Sequence, residues 1–274
     1  MTIKQQHILD GIHGRPIPVD LHIPENHNGR TVIFCHGYKG FKDWGCWDLV
    51  AERFTAANFI FLKFNFSHNG GTISQPIDFP DPEAFALNNF TKELDDLNTV
   101  IDFTTSAASI NPKDLHLVGH SRGGGIVTIK TAEDKRVSSV SSWAGVSDFK
   151  ARFADEKTLA YWKEKGVIYI ENSRTKQQLP HYYQFYEDFI ANEDRFNIRR
   201  ATENLNVPHL IVHGTEDPTV NVKEAKALRS WNPEAQLQLI DGADHVFGGA
   251  HPWNSQHLPQ HLNEVVDVTL RFLK

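Results

Sequence analysis

The chain has 274 residues, of which 40% are hydrophobic and 23% charged, and this composition indicates a globular protein rather than a disordered one. Its formal net charge of −6 argues against a nucleic-acid partner or an anionic membrane surface, and no apolar run approaches the roughly 20 residues of a membrane span. The first residues lack the apolar core of a secretory signal, and two cysteines, Cys35 and Cys46, are too few for a disulfide scaffold, so we expect a cytoplasmic protein.

Short apolar runs alternate with longer amphipathic stretches, which is typical of an α/β fold with a mostly parallel sheet and helices on both faces. Residues 5–23 contain Asp10-Gly11 and predict an antiparallel hairpin at the edge of this sheet. Buried strands are predicted, in chain order, at residues 31–35, 59–66, 114–119, 137–143, 208–213 and 236–240. Helices are predicted between or after them, at residues 47–57, 88–106, 123–134 and 262–273.

The segment from about residue 146 to 204, which we call the insert, interrupts this alternation. It is charged, rich in Tyr, Phe and Trp, and has no convincing buried strand, so it predicts a mainly helical excursion between two core strands. Two interpretations stay open, namely a helical layer packed on the sheet or a cap over an active site. Because inserts of this length usually serve a function, we favour the cap. We therefore expect a single domain over residues 1–274 with a cap insertion at about 146–204.

A candidate nucleophile follows the strand predicted at residues 114–119. Residues 119–123, Gly-His-Ser-Arg-Gly, match the pattern G-x-S-x-G between an apolar strand and a glycine-rich helix. A serine on such a sharp turn stands exposed above the sheet, and the flanking glycines remove the Cβ atoms that would clash there. The pattern therefore predicts Ser121 as a nucleophile.

A serine nucleophile needs a base, and the base needs an acid that orients it. Asp217 follows the strand predicted at residues 208–213, and His245 lies in a Gly-rich loop after the last strand, so the chain order is Ser, Asp, His. We predict Asp217 as the acid and His245 as the base. Alternatives stay open at four positions, with Glu216 or Asp148 as the acid and His251 or His257 as the base.

The negative charge that develops on a carbonyl oxygen during acyl transfer needs two backbone N–H donors. One is expected from Arg122, directly after the nucleophile, where the helix N-terminus also favours negative charge. The other is expected from the loop that follows the strand at residues 31–35, and we choose Tyr38. In both residues the backbone amide, and not the side chain, is predicted to form the oxyanion hole.

These motifs resemble those of the α/β-hydrolase superfamily, closest to the branch with dienelactone-hydrolase-like proteins and cinnamoyl/feruloyl-type esterases. The resemblance implies a serine hydrolase whose triad is Ser121, Asp217 and His245. Relatives commonly have Asp and Arg where this chain has Asn65 and Ser67-His68, a departure that lies outside the triad. The stretches that carry the resemblance are HGYKGFKD at 36–43, FNFSHNG at 64–70, GHSRGG at 119–124, HGTEDPTV at 213–220 and GADHVF at 242–247.

We predict a hydrolase that cleaves small-molecule esters of small or aromatic acyl groups through an acyl-enzyme, without a metal or organic cofactor. The aromatic insert favours a compact acyl group, because small ligands are buried mostly on apolar and aromatic side chains. The triad does not choose the leaving group, so peptidase, thioesterase and perhydrolase activities stay open, as does a non-catalytic ligand-binding role. His257 and His261 are interpreted as surface histidines rather than metal ligands, and a homodimer stays open.

Overall fold

The computed structural model describes residues 1–107, 110 and 112–274. The strands are β1 (Thr2–Asp10), β2 (Pro16–Pro24), β3 (Arg30–Cys35), β4 (Ile60–Phe64), β5 (Asp114–His120), β6 (Ser139–Trp143), β7 (Val167–Glu171), β8 (Gln178–Tyr182), β9 (His209–Gly214) and β10 (Gln236–Ile240). The α-helices are α1 (Trp47–Ala56), α2 (Pro82–Ala86), α3 (Phe90–Ser106), α4 (Arg122–Glu133), α5 (Glu156–Lys165), α6 (Gln184–Ala191), α7 (Ile198–Glu203), α8 (Val222–Trp231) and α9 (Gln260–Phe272). A short 3-10 turn covers Lys150–Arg152.

The central sheet has eight strands in the order β1-β2-β4-β3-β5-β6-β9-β10. From β4 to β10 every neighbouring pair is parallel, whereas β2 runs antiparallel to both β1 and β4. The mostly parallel sheet and the edge hairpin predicted from the sequence are therefore confirmed. Because the parallel strands share one direction, the loops at their carboxyl ends meet at a single edge of the sheet.

Both faces of the sheet are covered by helices, which is why its strands form continuous apolar runs. In β3, Val32 and Phe34 pack into a core shared with α1 and α9, while Ile33 points into a second core shared with α3 and α4. Alternate residues of one strand thus fill two cores, as the period of two along a strand requires.

The insert differs from the mainly helical segment predicted from the sequence. It contains α5, α6 and α7, but also an antiparallel hairpin formed by β7 and β8, which is separate from the central sheet. The residues of β7 are β-branched or aromatic over most of its length, as strands prefer, yet they are half-buried or exposed. The sequence does not predict this hairpin, because neither of its strands is continuously buried and neither has the apolar run of a core strand.

Candidate active site

Ser121 lies at the junction between β5 and α4, where the chain turns sharply. Its backbone has φ 57° and ψ −120°, in the region of positive φ that residues other than glycine rarely adopt. The amide of Ser121 donates a hydrogen bond of 2.9 Å to the carbonyl of Trp143 at the end of β6, which holds the turn. A serine held in this way at the carboxyl edge of a sheet is typical of a functional site.

The two glycines of the pattern are required by close backbone approach. A Cβ atom on Gly119 would lie 2.2 Å from the carbonyl oxygen of Gly123. A Cβ atom on Gly123 would lie 2.5 Å from the carbonyl oxygen of Cys35 at the end of β3. Both distances are too short for any side chain, so the packing of β5, α4 and β3 depends on glycine at these two positions.

Three side chains from loops after three different strands form one hydrogen-bonded chain. His245, after β10, has its Nε2 atom 3.0 Å from Ser121 Oγ. Its Nδ1 atom lies 2.8 Å from Oδ2 of Asp217, which follows β9. The structure therefore brings together the three residues predicted from the sequence, in an order that lets the imidazole take a proton from the serine hydroxyl.

The carboxylate of Asp217 is surrounded by hydrogen-bond donors. Its Oδ1 atom accepts from the amides of Thr219 and Val220, both at 2.8 Å, while Oδ2 faces His245 and lies 3.4 Å from His213 Nε2. Burial alone would raise the pKa of Asp217, but the adjacent His213 ring and the hydrogen bonds from His245 and Val220 bring it well below its usual range. The carboxylate is thus ionised and can stabilise an imidazolium at His245.

Two further histidines, His120 and His213, contact the hydrogen-bond network of Ser121, His245 and Asp217. The sequence analysis assigned a role to neither of them. His120 Nε2 donates a hydrogen bond of 2.8 Å to the carbonyl of His245, and burial lowers the pKa of His120 to about 3, so its ring stays neutral. His213 Nε2 donates to the carbonyl of Val220 at 2.8 Å, beside Asp217. Their positions directly before the nucleophile and inside β9 were the available signals.

The two predicted oxyanion residues lie on either side of Ser121. Among the described residues, neither the amide of Tyr38 nor that of Arg122 has a hydrogen-bond acceptor. The guanidinium of Arg122 also packs 4.3 Å from the centroid of the Tyr38 ring and pairs with Glu93 on α3 at 3.2 Å. These contacts fix the two segments relative to each other.

The alternative acids and bases are not part of this hydrogen-bond network, because none of their side chains forms a described hydrogen bond with Ser121 or His245. Glu216 is exposed, and exposed Asp148 accepts from the amide of Lys150. His251 Nδ1 accepts from the amide of Gly45, and His257 is exposed.

A large cavity of about 410 Å³ extends from Ser121 toward the insert. Its walls are mainly apolar and aromatic, and Tyr38 and Arg122 border it near the serine. The insert supplies ten of the lining residues: Val146, Phe149, Arg152, Phe153, Ala154, Trp162, Ile168, Ile170, His181 and Phe185.

A second, smaller cavity of about 130 Å³ also borders Ser121. It is bordered by the loop after β3, which includes Tyr38 and Lys39, and by His245. Trp44 and His120 complete much of its wall. The serine hydroxyl is therefore reached from two spaces of different size and different lining.

One group of side chains has the composition of a metal site. Ligand atoms of Asp20, His22 and Asp48 lie within 4.8 Å of one another. However, the ammonium of Lys63 lies 3.1 Å from Asp20 and 3.0 Å from Asp48, and Lys42 and Lys4 pair with the same two carboxylates at 2.8 and 3.3 Å, so lysines already neutralise them. The donor set therefore does not fit a metal ion, and it is remote in sequence from the Ser121 site.

The chain is similar to known proteins in family profile, in sequence and in structure. The profile of the "Alpha/beta hydrolase family" matches residues 32–254. The uncharacterized protein YfhR of Salmonella typhimurium is 27% identical over 248 residues, which cover 88% of this chain and 73% of that protein. No helix in the described ranges is both long and apolar enough to cross a bilayer.

Two solved structures illustrate the structural likeness. Est1E from Butyrivibrio proteoclasticus with bound ferulic acid superposes with a TM-score of 0.75 at 16% identity, covering 97% of each chain. Dienelactone hydrolase from Anabaena variabilis superposes with a TM-score of 0.64 at 16% identity, covering 98% of this chain and 97% of that one. At such identities the likeness establishes the fold.

Proposed function

The chain belongs to the α/β-hydrolase family, and we propose that it is a serine hydrolase that cleaves carboxylic esters of small or aromatic acyl groups. The observation that carries this proposal is the hydrogen-bonded chain from Ser121 through His245 to Asp217, with distances of 3.0 and 2.8 Å. In an α/β fold, a hydroxyl activated in this way at the carboxyl edge of the sheet is suited to acyl transfer.

The proposed reaction has two steps. Ser121 Oγ attacks the ester carbonyl carbon while His245 Nε2 takes the hydroxyl proton, and the amides of Tyr38 and Arg122 hold the oxyanion. The tetrahedral intermediate collapses, and His245 returns its proton to the departing alcohol oxygen. Water then attacks the acyl-enzyme with His245 as base, which releases the carboxylic acid and restores the serine.

We further propose that the insert acts as a cap and that the large cavity holds the acyl group. Support comes from the ten insert residues in the cavity wall, which are apolar or aromatic except for Arg152 and His181. A volume of about 410 Å³ accommodates a compact or aromatic acyl chain, and flat apolar walls favour burial of a ring. Ferulic acid bound to the structural neighbour Est1E makes aromatic acyl esters the first substrates to test.

Labelling with a fluorophosphonate probe tests the nucleophile. We expect covalent labelling at Ser121, and Ser121→Ala should lose the label and nearly all ester hydrolysis, since removing a triad serine typically lowers kcat by about 10⁶. The matched control is Ser74→Ala, in an exposed loop, which should retain both. Ester hydrolysis by a folded Ser121→Ala protein would contradict the proposal.

A panel of esters tests the acyl group. We expect higher kcat/KM for acetyl and cinnamoyl esters than for long-chain acyl glycerols, because each ~1.4 kcal/mol of differential transition-state binding gives a tenfold ratio. Matched amides and thioesters in the same panel distinguish an esterase from a peptidase or a thioesterase. A steady rise in activity beyond about ten acyl carbons would refute the compact acyl site and leave the hydrolase assignment intact.

A further inference from the structure

The two cavities divide the space around Ser121 between the two halves of an ester. Of the described residues, Tyr38 and Ser121 alone border both, while His245 borders the small one. Because the imidazole must protonate the departing oxygen, the alcohol part of the substrate lies on the side of His245. Given the proposed function, the small cavity is therefore the site of the leaving group.

A lysine without an acidic partner borders this small cavity. Lys39 is half-buried, and its ammonium lies 5.4 Å from the centroid of the Tyr38 ring. No carboxylate among the described residues lies within 4 Å of that ammonium, and none of the described residues lining the cavity is acidic. The small cavity is thus bordered by a cationic residue that no described carboxylate neutralises.

Another lysine of the same loop, Lys42, is neutralised by acidic side chains. Lys42, three residues later, has its Nζ atom 2.8 Å from Asp20 and 2.7 Å from Asp43. By contrast, burial lowers the pKa of Lys39, and no neighbouring carboxylate acts against this effect. A half-buried cation without a partner is unfavourable, and a negatively charged ligand would remove that penalty.

The backbone also holds Lys39 in an uncommon conformation. Its φ of 55° lies in the left-handed region, which glycine adopts more readily than lysine. The loop therefore retains a long cationic side chain at a position where its backbone favours glycine. Such departures concentrate at functional sites, where the side chain has a task.

We propose that the small cavity binds a negatively charged leaving group, so that preferred substrates are esters whose alcohol part is a short hydroxy acid. Lys39 would pair with the carboxylate of that alcohol while the ester oxygen lies next to His245. The volume of about 130 Å³ restricts the alcohol to a few heavy atoms beyond the ester oxygen. Lys39 is then a specificity-determining residue for the alcohol part of the substrate. The reaction remains the ester hydrolysis proposed above.

A matched pair of esters isolates the charge. Cinnamoyl glycolate carries a carboxylate in its alcohol part, and cinnamoyl glycolamide has nearly the same shape without the charge. We expect kcat/KM for the glycolate ester to exceed that for the glycolamide ester by about tenfold at low salt, and this ratio to fall as salt is added. Lys39→Gln should reduce the ratio to near one, and Lys39→Arg should preserve it. Lys163→Gln, an exposed lysine of α5, should leave both rates unchanged.

The results that would refute the anionic subsite differ from those that would refute the proposed ester hydrolysis. If Lys39→Gln lowers both rates by the same factor, Lys39 acts on the reacting centre or on folding, and the anionic subsite is refuted. If the native protein hydrolyses neither ester, the ester-hydrolase proposal fails, and binding still tests the subsite. Quenching of tryptophan fluorescence in Ser121→Ala, to which Trp44 and Trp47 at the small cavity contribute, should then show tighter binding of the glycolate ester, and loss of that preference with Lys39→Gln. Equal binding of both esters would overturn the inference.

Discussion

The carboxyl edge of the sheet and the insert contribute to the same cavity in different ways. At the edge, Ser121, Asp217 and His245 are each placed by backbone geometry and by directional hydrogen bonds. In the insert, side chains such as Phe153 and Phe185 pack against one another, with ring centroids 5.5 Å apart and ring planes tilted by 50°, and form walls without directional bonds to a reacting atom. We therefore expect the triad at the edge to set the rate for every substrate and the insert to set the ranking among acyl groups.

The largest expected effect that tests this division is at the acid. Asp217→Asn keeps the shape but favours the wrong tautomer of His245, so we expect kcat to fall by about 10⁴. The fall should be similar for acetyl and cinnamoyl esters, because the carboxylate does not touch the acyl group. Steady-state kinetics on both esters measure it, and Glu216→Gln, an exposed neighbour, should be nearly silent. The opposite ranking of the two variants would identify Glu216 as the acid.

A second, smaller effect concerns stability at the edge. Buried Asp96 on α3 accepts from the amide of Ser67 at 2.7 Å, and its Oδ1 atom has no partner among the described residues. Burial raises the pKa of Asp96 to about 7, against the hydrogen bond from Ser67, which lowers it. As pH rises, Asp96 therefore loses its proton at a lower pH in the unfolded chain than in the folded protein. The protonated side chain stabilises the fold fully below about pH 4, and this stabilisation is lost as pH rises through 7.

Thermal unfolding of Asp96→Asn from pH 4 to 8 measures this loss. The variant should gain stability relative to the native protein as pH rises, by at most roughly 4 kcal/mol between these limits. Asp102→Asn, an exposed acid on the same helix, is the control and should show no such gain. A constant difference between the native protein and Asp96→Asn across this range would show that Asp96 is ionised in the fold throughout.

The smallest expected effect is in the insert. Phe153→Ala enlarges the large cavity next to the acyl group, so kcat/KM for cinnamoyl esters should fall about tenfold relative to acetyl esters. Tyr161→Ala on α5, where the side chain is exposed, should leave this ratio unchanged. Equal losses for both esters would show that the insert supports the fold rather than selectivity.

The same contrast explains what the sequence predicts well. Asp217 and His245 can be located because each follows an apolar strand, and the ends of parallel strands necessarily meet at one edge. The roles of His120 and His213 depend on side-chain directions and on partners distant along the chain, such as the carbonyl of His245. The hairpin of β7 and β8 and the small cavity likewise arise from tertiary packing, which no local pattern encodes.

The pairing of β6 with β9 has an evolutionary consequence. The chain leaves the sheet at Trp143 and returns to it at His209, and these strands are hydrogen-bonded neighbours with Trp143 opposite Val212. The two ends of the intervening segment are thus held at fixed positions by the sheet, with His209 opposite Val140, and lengthening a loop between fixed ends adds little entropic penalty. We therefore expect changes of length within this segment to be tolerated during evolution or in engineering, provided that the residues packed on the core, such as Phe149 and Ile198, are kept.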